Sequence, residues 1–208
     1  MAPHTNLQEI ASRISNCTSC RLSEKRSQTV PGSGDAKAQI MFIGEAPGFN
    51  EDKNGHPFVG RAGNLLDQLL GLIDLDRDKV FITNMVKCRP PDNRDPQNDE
   101  LESCSTYINA QIKALSPKVI VTLGRFSFGK FFPRETITQS RGIVRKWNNI
   151  DILPMYHPAA ALYNPSLRPR LEKDFQKLLE LTGSSKYVVA SPASESEIEE
   201  ERQLGLFD

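Results

Sequence analysis

The feature that most constrains this chain is a short strand-like run that breaks abruptly into a polar loop. Gln39-Ile-Met-Phe-Ile43 has the character of a buried strand and is closed at once by Gly44-Glu-Ala-Pro-Gly48. Successive apolar residues on one strand call for cover on both faces, which a parallel sheet under helices provides. The pattern recurs in Val80-Phe-Ile-Thr83, Lys118-Val-Ile-Val-Thr122 and Ile150-Asp-Ile-Leu-Pro-Met155. Between these runs lie helical patterns: Arg61 to Ile73, with Leu65, Leu66, Leu69 and Leu70 on one face, then Asp99 to Leu115, then a stretch around Gly124 to Phe132. Thr5 to Asn16 and Ser166 to Leu181 read as flanking helices. The alternation predicts an α/β fold, a three-layer α/β/α arrangement with a mostly parallel central sheet. Such sheets bind ligands outside the carboxyl ends of their strands. The loops after the first, second and fourth runs carry the most unusual residues of the chain, which makes them the candidate active site.

The 208 residues suit one domain over 1–183. From Ser184 the composition turns to Ser, Ala and Glu, so 184–208 is expected to be a disordered acidic linker. No apolar run approaches the roughly 18 residues of a membrane span. The start carries no basic patch leading into an apolar stretch, so a cytoplasmic protein is expected. Net charge is zero, which counts against a nucleic-acid partner. The tail, however, holds six acids and two bases, leaving 24 bases against 20 acids in the body. That mild positive balance permits a DNA partner without locating one.

The four cysteines stand at Cys17, Cys20, Cys88 and Cys104, a C-x2-C pair and two single positions with fifteen residues between them. In a reducing compartment this pattern favours a metal site over disulfides. Spacing alone leaves tetrahedral zinc, an iron–sulfur cluster and buried free thiols all open. Either metal reading would staple residues 17–20 to the segment after the second strand and to the helix that follows.

A set of motifs, in order and spacing, resembles the uracil-DNA glycosylase superfamily, specifically its iron–sulfur family 4, from about Asn16 to Leu181. They are Gly44-Glu-Ala-Pro-Gly48 with Glu51-Asp-Lys, Gly55-His-Pro-Phe-Val-Gly60-Arg-Ala-Gly63, Thr83-Asn-Met-Val-Lys-Cys-Arg-Pro-Pro91, Arg141-Gly142, and His157-Pro-Ala-Ala-Ala-Leu-Tyr-Asn-Pro165. The resemblance implies hydrolysis of the N-glycosidic bond of deoxyuridine in DNA, and a 4Fe-4S cluster held by the four cysteines. Base excision takes the nucleotide out of the stack into a pocket that reads its Watson–Crick edge. Phe58 is the expected stacking wall, with a core aromatic as its bland alternative. Asn84 is expected to pair with uracil O4 and N3, where the amino group of cytosine would clash; a capping Asn is the alternative. Bond cleavage leaves negative charge on uracil, so donors must face O2 of the leaving base, and His157 fits that role. Glu45, Ala46 and Pro47 are expected to line the pocket. Sister families carry Asp or Asn where Ala46 stands, so backbone groups near Ala46, assisted by Glu45, are expected to orient the attacking water. Glu51 is a candidate for excluding the methyl group of thymine. Arg141 and Arg168 are expected phosphate contacts, and Leu162 the wedge that enters the duplex.

The chain ends in Gln203-Leu-Gly-Leu-Phe207. This resembles the peptide with which bacterial repair proteins dock on the β sliding clamp, through Gln203, Leu204, Leu206 and Phe207. The expected protein is a monomer with uracil-containing DNA as its substrate. Two rival readings are a relative covalently trapped on its substrate and a non-enzymatic scaffold. The first carries a basic insertion with its own His after the Asn motif, and Lys87 to Pro96 contains no His.

Overall fold

A computed structural model describes residues 6–182. The acidic linker and the Gln203–Phe207 peptide lie outside the described residues. Helix α1 (Leu7–Ser15) is N-capped by Asn6, whose side chain accepts from the Glu9 N–H, while Glu9 accepts from the Asn6 N–H. This reciprocal pairing satisfies two of the donors that a helix start leaves free. A two-residue edge strand β1 (Ser33–Gly34) precedes β2 (Ile40–Gly44), α2 (Phe49–Asn54), α3 (Arg61–Gly71) and β3 (Phe81–Asn84). Then follow α4 (Asn98–Leu115), β4 (Val119–Leu123), α5 (Arg125–Phe131) and α6 (Ile137–Ser140). The described chain ends with β5 (Arg145–Trp147), β6 (Ile150–Met155), α7 (Pro158–Tyr163) and α8 (Arg168–Thr182).

The sheet order is β1-β3-β2-β4-β6-β5. The four inner strands run parallel, and only the edges, β1 and β5, are antiparallel. Strand side chains alternate between faces. On β2, Ile40 and Phe42 join a core beneath α3 and α8 that includes Leu66, Leu69 and Phe175, while Met41 and Ile43 point into a second core with Ile108 and Ile112 of α4. Every residue of β2, β3 and β4 is buried. This is the three-layer α/β/α fold expected from the alternation. None of the helices among the described residues is long and apolar enough to cross a membrane.

From β2 the chain crosses to β3 on one side, and after α4 it returns to β4 on the other. The carboxyl ends of β2, β3 and β6 therefore gather around a topological switch point, where a crevice opens.

Candidate active site

That crevice is a cavity of about 390 Å³. Its walls are Glu45 to Gly48 and Glu51 after β2, Phe58 before α3, Asn84 at the end of β3, and His157, Ala159 and Tyr163 after β6. All seven residues expected to bind substrate line this one space.

Asn84 is 2 % exposed, and its Oδ1 has no hydrogen-bond partner among the described residues. A buried amide oxygen without a donor is costly unless a ligand supplies one. Gly44 makes room for it, because a Cβ there would lie 2.4 Å from Asn84 Oδ1 and 2.6 Å from the Phe58 ring. The Asn84 backbone is fixed from behind by Lys87, whose buried ammonium donates to the Asn84 carbonyl at 2.7 Å, to Thr83 Oγ1 at 2.6 Å and to Gln111 Oε1 at 2.8 Å. Three donors meet three acceptors, so this interior cation is fully satisfied.

Phe58 is at once a core and a pocket residue, 5 % exposed. Its ring stacks on the His157 imidazole with centroids 5.4 Å apart and planes 26° from parallel. His157 Nδ1 accepts the Ala159 N–H at 3.1 Å. An accepting Nδ1 puts the ring proton on Nε2, making that nitrogen the donor. Burial pushes the His157 pKa down to about 4, against a smaller upward pull from Glu51. The neutral imidazole is thus the resting form near pH 7.

Glu45 behaves in the opposite way. Burial and the nearby Asp95 carboxylate raise its pKa to about 7, with Arg125 opposing. It is the pocket carboxyl poised to titrate in the neutral range. Glu51 is held differently, with Oε1 accepting from the Val59 and Gly60 N–H groups at 2.9 Å each and Oε2 from the Gly48 N–H at 3.1 Å. One carboxylate thereby ties the loop after β2 to the loop that carries Phe58.

The four cysteines come together away from this cavity, lining a second pocket with Ser19, Arg26 and Tyr107. None of the four is paired in a disulfide. The Arg26 guanidinium donates to Cys88 Sγ at 3.1 Å. No carboxylate or imidazole shares the pocket, so its ligand set is purely sulfur. Among the described residues no three His, Cys, Asp or Glu side chains form a group that could hold a single metal ion. Ala46 packs against this cysteine cluster while also lining the active-site cavity, and the Val86 N–H donates to the Glu45 carbonyl at 3.2 Å. The two sites share a wall.

The expected DNA contacts find mixed surroundings. Arg141 Nη1 donates to both oxygens of buried Asp174 at 2.8 Å, and its guanidinium lies over the Tyr156 ring, so an internal carboxylate competes with any phosphate. Arg168 pairs with Glu172 and Gln68 on the surface. Leu162 is partly buried against the core, whereas the next residue, Tyr163, is 91 % exposed and borders the cavity. Sequence reasoning did not single out Tyr163, Gly44 or Lys87, and read Arg94 only as part of a cationic loop, Arg89–Pro96, suited to phosphate contact. Arg94 lines the cavity and forms a two-point pair with Glu100, which is fully buried. The sign available for Tyr163 was a large aromatic at the end of the His157–Pro165 motif. The roles of Lys87 and Gly44 depend on contacts that spacing does not reveal.

The sequence model of the Uracil DNA glycosylase superfamily matches residues 31–181. The chain is 51% identical over 186 residues to a type-4 uracil-DNA glycosylase of Sulfurisphaera tokodaii, covering 85% of this chain and 84% of that one. It is 50% identical to the type-4 enzyme of Saccharolobus solfataricus, covering 86% and 88%. To that of Thermotoga maritima it is 41% identical, covering 85% and 95%.

Proposed function

The chain belongs to the uracil DNA glycosylase superfamily, and on that premise we propose that it works as a type-4 uracil-DNA glycosylase. It hydrolyses the N-glycosidic bond of deoxyuridine in DNA, releasing uracil and leaving an abasic site. The observation that carries the residue-level reading is the orphaned Oδ1 of Asn84 in a cavity walled by Phe58 and His157. An acceptor without a donor matches uracil N3–H, and the amide nitrogen of the same side chain is available to O4. Cytosine presents an acceptor at its N3 and a donor at its N4, reversing both contacts and leaving buried groups unpaired.

As the glycosidic bond stretches, charge builds on uracil, and the neutral His157 Nε2–H is the donor directed at it. A neutral donor gives up no proton, so uracil leaves as an anion that water protonates later. The sugar cation left behind is trapped by water oriented by the backbone at Ala46 and by Glu45, in its ionised form, as proton acceptor. Glu51 positions both loops, and its oxygens are occupied by backbone N–H groups, so exclusion of thymine is assigned to the packing it enforces. Outside the cavity, exposed Tyr163 offers an apolar face to the opened stack, with Leu162 anchoring it; Arg168 is the nearby cation for a phosphate.

Cys17, Cys20, Cys88 and Cys104 would hold the 4Fe-4S cluster. An all-sulfur set arrayed around a pocket fits a cluster, which keeps its thiolates apart, better than one ion drawing them together. When bound, it supplies a covalent cross-link between residues 17–20, the end of the β3 loop and α4. The Gln203–Phe207 peptide is assigned to a sliding-clamp pocket, and the protein to a cytoplasmic monomer. Loss of clamp co-purification on deletion of 203–208 tests the first, and light scattering the second. The function is tested with an oligonucleotide containing one uracil: release of free base at many turnovers supports it, and a protein–DNA adduct stable to denaturation favours the trapped relative.

A further inference from the structure

Phe58 holds its ring in the pocket from a backbone conformation with φ of 54°, in the left-handed region. A bulky aromatic rarely occupies that region, and such strain persists only where the surroundings enforce it. Besides the cavity-side Glu51 carboxylate, which accepts from the Val59 and Gly60 N–H groups, contacts from Arg77 enforce it at Phe58 itself. Arg77 stands on the single 3-10 turn Arg77–Lys79, between α3 and β3. Its Nη1 donates to the Pro57 carbonyl at 2.9 Å, and its Nη2 to the Phe58 carbonyl. Its Nε is aimed by Asp67 Oδ1 of α3 at 2.6 Å. The planar fork of a guanidinium fits two consecutive carbonyls and a carboxylate together, which a lysine cannot match. Gly63 permits the arrangement, since a Cβ there would fall 1.7 Å from the Phe58 oxygen. Arg77 does not line the active-site cavity; it borders a separate surface cleft with Asp67 and Asp78.

We propose that Arg77 is a positioning residue for base recognition: clamped between Asp67 and the Pro57 and Phe58 carbonyls, it sets the Phe58 ring before the base arrives. The proposal rests on the reading of this cavity as a uracil pocket. Without the clamp, the loop relaxes toward ordinary backbone angles and the ring must be reordered at each binding event. The loss then falls on binding of the base and not on the bond-breaking step.

The test uses the full-length protein with Arg77→Met, Arg77→Lys and Asp67→Asn, alone and combined with Phe58→Ala. Inhibition by free uracil, kcat and KM on a uracil oligonucleotide, and the melting temperature are measured for each. Arg77→Met is expected to weaken uracil inhibition and raise KM by roughly 5- to 30-fold while kcat stays within about twofold. Arg77→Lys should recover part of this loss, and Arg77→Met should add nothing in the Phe58→Ala background. A lowered melting temperature with unchanged uracil inhibition, or full additivity with Phe58→Ala, would overturn the assignment. Should Arg77→Met not fold, Asp67→Asn keeps the guanidinium but removes its aim, and unchanged uracil inhibition there overturns it equally. A wild-type protein that neither releases uracil nor is inhibited by it overturns the glycosylase reading itself, which an active wild type with unaffected variants does not.

Discussion

At the scale of single residues, the pocket works by leaving one group unsatisfied and holding its neighbours still. Asn84→Ala removes the acceptor meant for the substrate, and should lower kcat/KM on uracil DNA by about tenfold to a hundredfold. Gly44→Ala should cost a comparable amount without touching any reacting group, because its methyl would overlap Asn84 Oδ1 and the Phe58 ring. Steady-state kinetics on both variants checks this, with a melt to show that each remains folded. The two titrating groups predict a pH profile. Glu45, raised to about 7, is protonated below that value, so kcat/KM should climb through pH 7 and level off, and Glu45→Gln should abolish the climb. His157, lowered to about 4, should add no inflection near 6.5. Stability follows with opposite signs. The raised Glu45 contributes stability below about 4.5 that is lost as pH rises through about 7, so Glu45→Gln should raise the melting temperature more at pH 8 than at pH 5. The depressed His157 contributes stability above about 6.5 that is lost as pH falls toward 4. Phe58, Asn84 and His157 were legible as motif members, since loops after strands are read by order along the chain. Gly44 was legible only as a strand break, because its role is a close approach between segments 40 residues apart in sequence.

At the scale of elements, the four inner strands were read almost to the residue, while the edge strands β1 and β5 and the short helices were not. The expected strand at 39–43 forms as Ile40–Gly44, and the expected helix at 99–115 as Asn98–Leu115. Long apolar periodicity is a strong signal. Helices α2 and α7 have six residues each, too few for a period to show. They are stabilised locally, α2 through Glu51 at the Gly48 N–H and α7 through the His157 cap and Pro158 at its first turn. Such short helices are therefore sensitive to single side chains. Glu51→Gln replaces a carboxylate that accepts three backbone N–H groups, and should destabilise the protein by about 1–3 kcal/mol, read by urea denaturation, while raising KM. Arg141 shows the limit of motif reading at this scale. Its motif suggested a phosphate contact, which stays a proposal, and α8 adds beneath it Asp174, a partner 33 residues away that only the packed helix supplies.

At the scale of the whole molecule, the sheet gathers loops from distant parts of the chain onto one edge, and the cysteines gather a second set beside it. Three segments meet in the sulfur pocket: the 17–20 pair, the loop after β3 and α4. The same β3 loop carries Lys87, which holds Asn84, so disorder at the cysteines reaches the base pocket through one buried ammonium. Cys88→Ser is accordingly expected to lose visible absorbance, melt at lower temperature and lose glycosylase activity together. Absorbance, calorimetry and base release on one sample check the linkage. The convergence of the cysteines was implied by the metal readings of their spacing, which left free thiols open as well, and the shared wall at Ala46 had no sign in the sequence. We propose that this cavity reads and releases uracil through Asn84 and His157. The most direct measurement is uracil release from a single-uracil oligonucleotide by wild type, Asn84→Ala and His157→Ala, beside the same oligonucleotide carrying cytosine. Multiple turnovers are expected on uracil alone, with His157→Ala slower in kcat by about 10²–10³-fold. Full activity in both variants, or equal release of cytosine by wild type, would contradict this proposal.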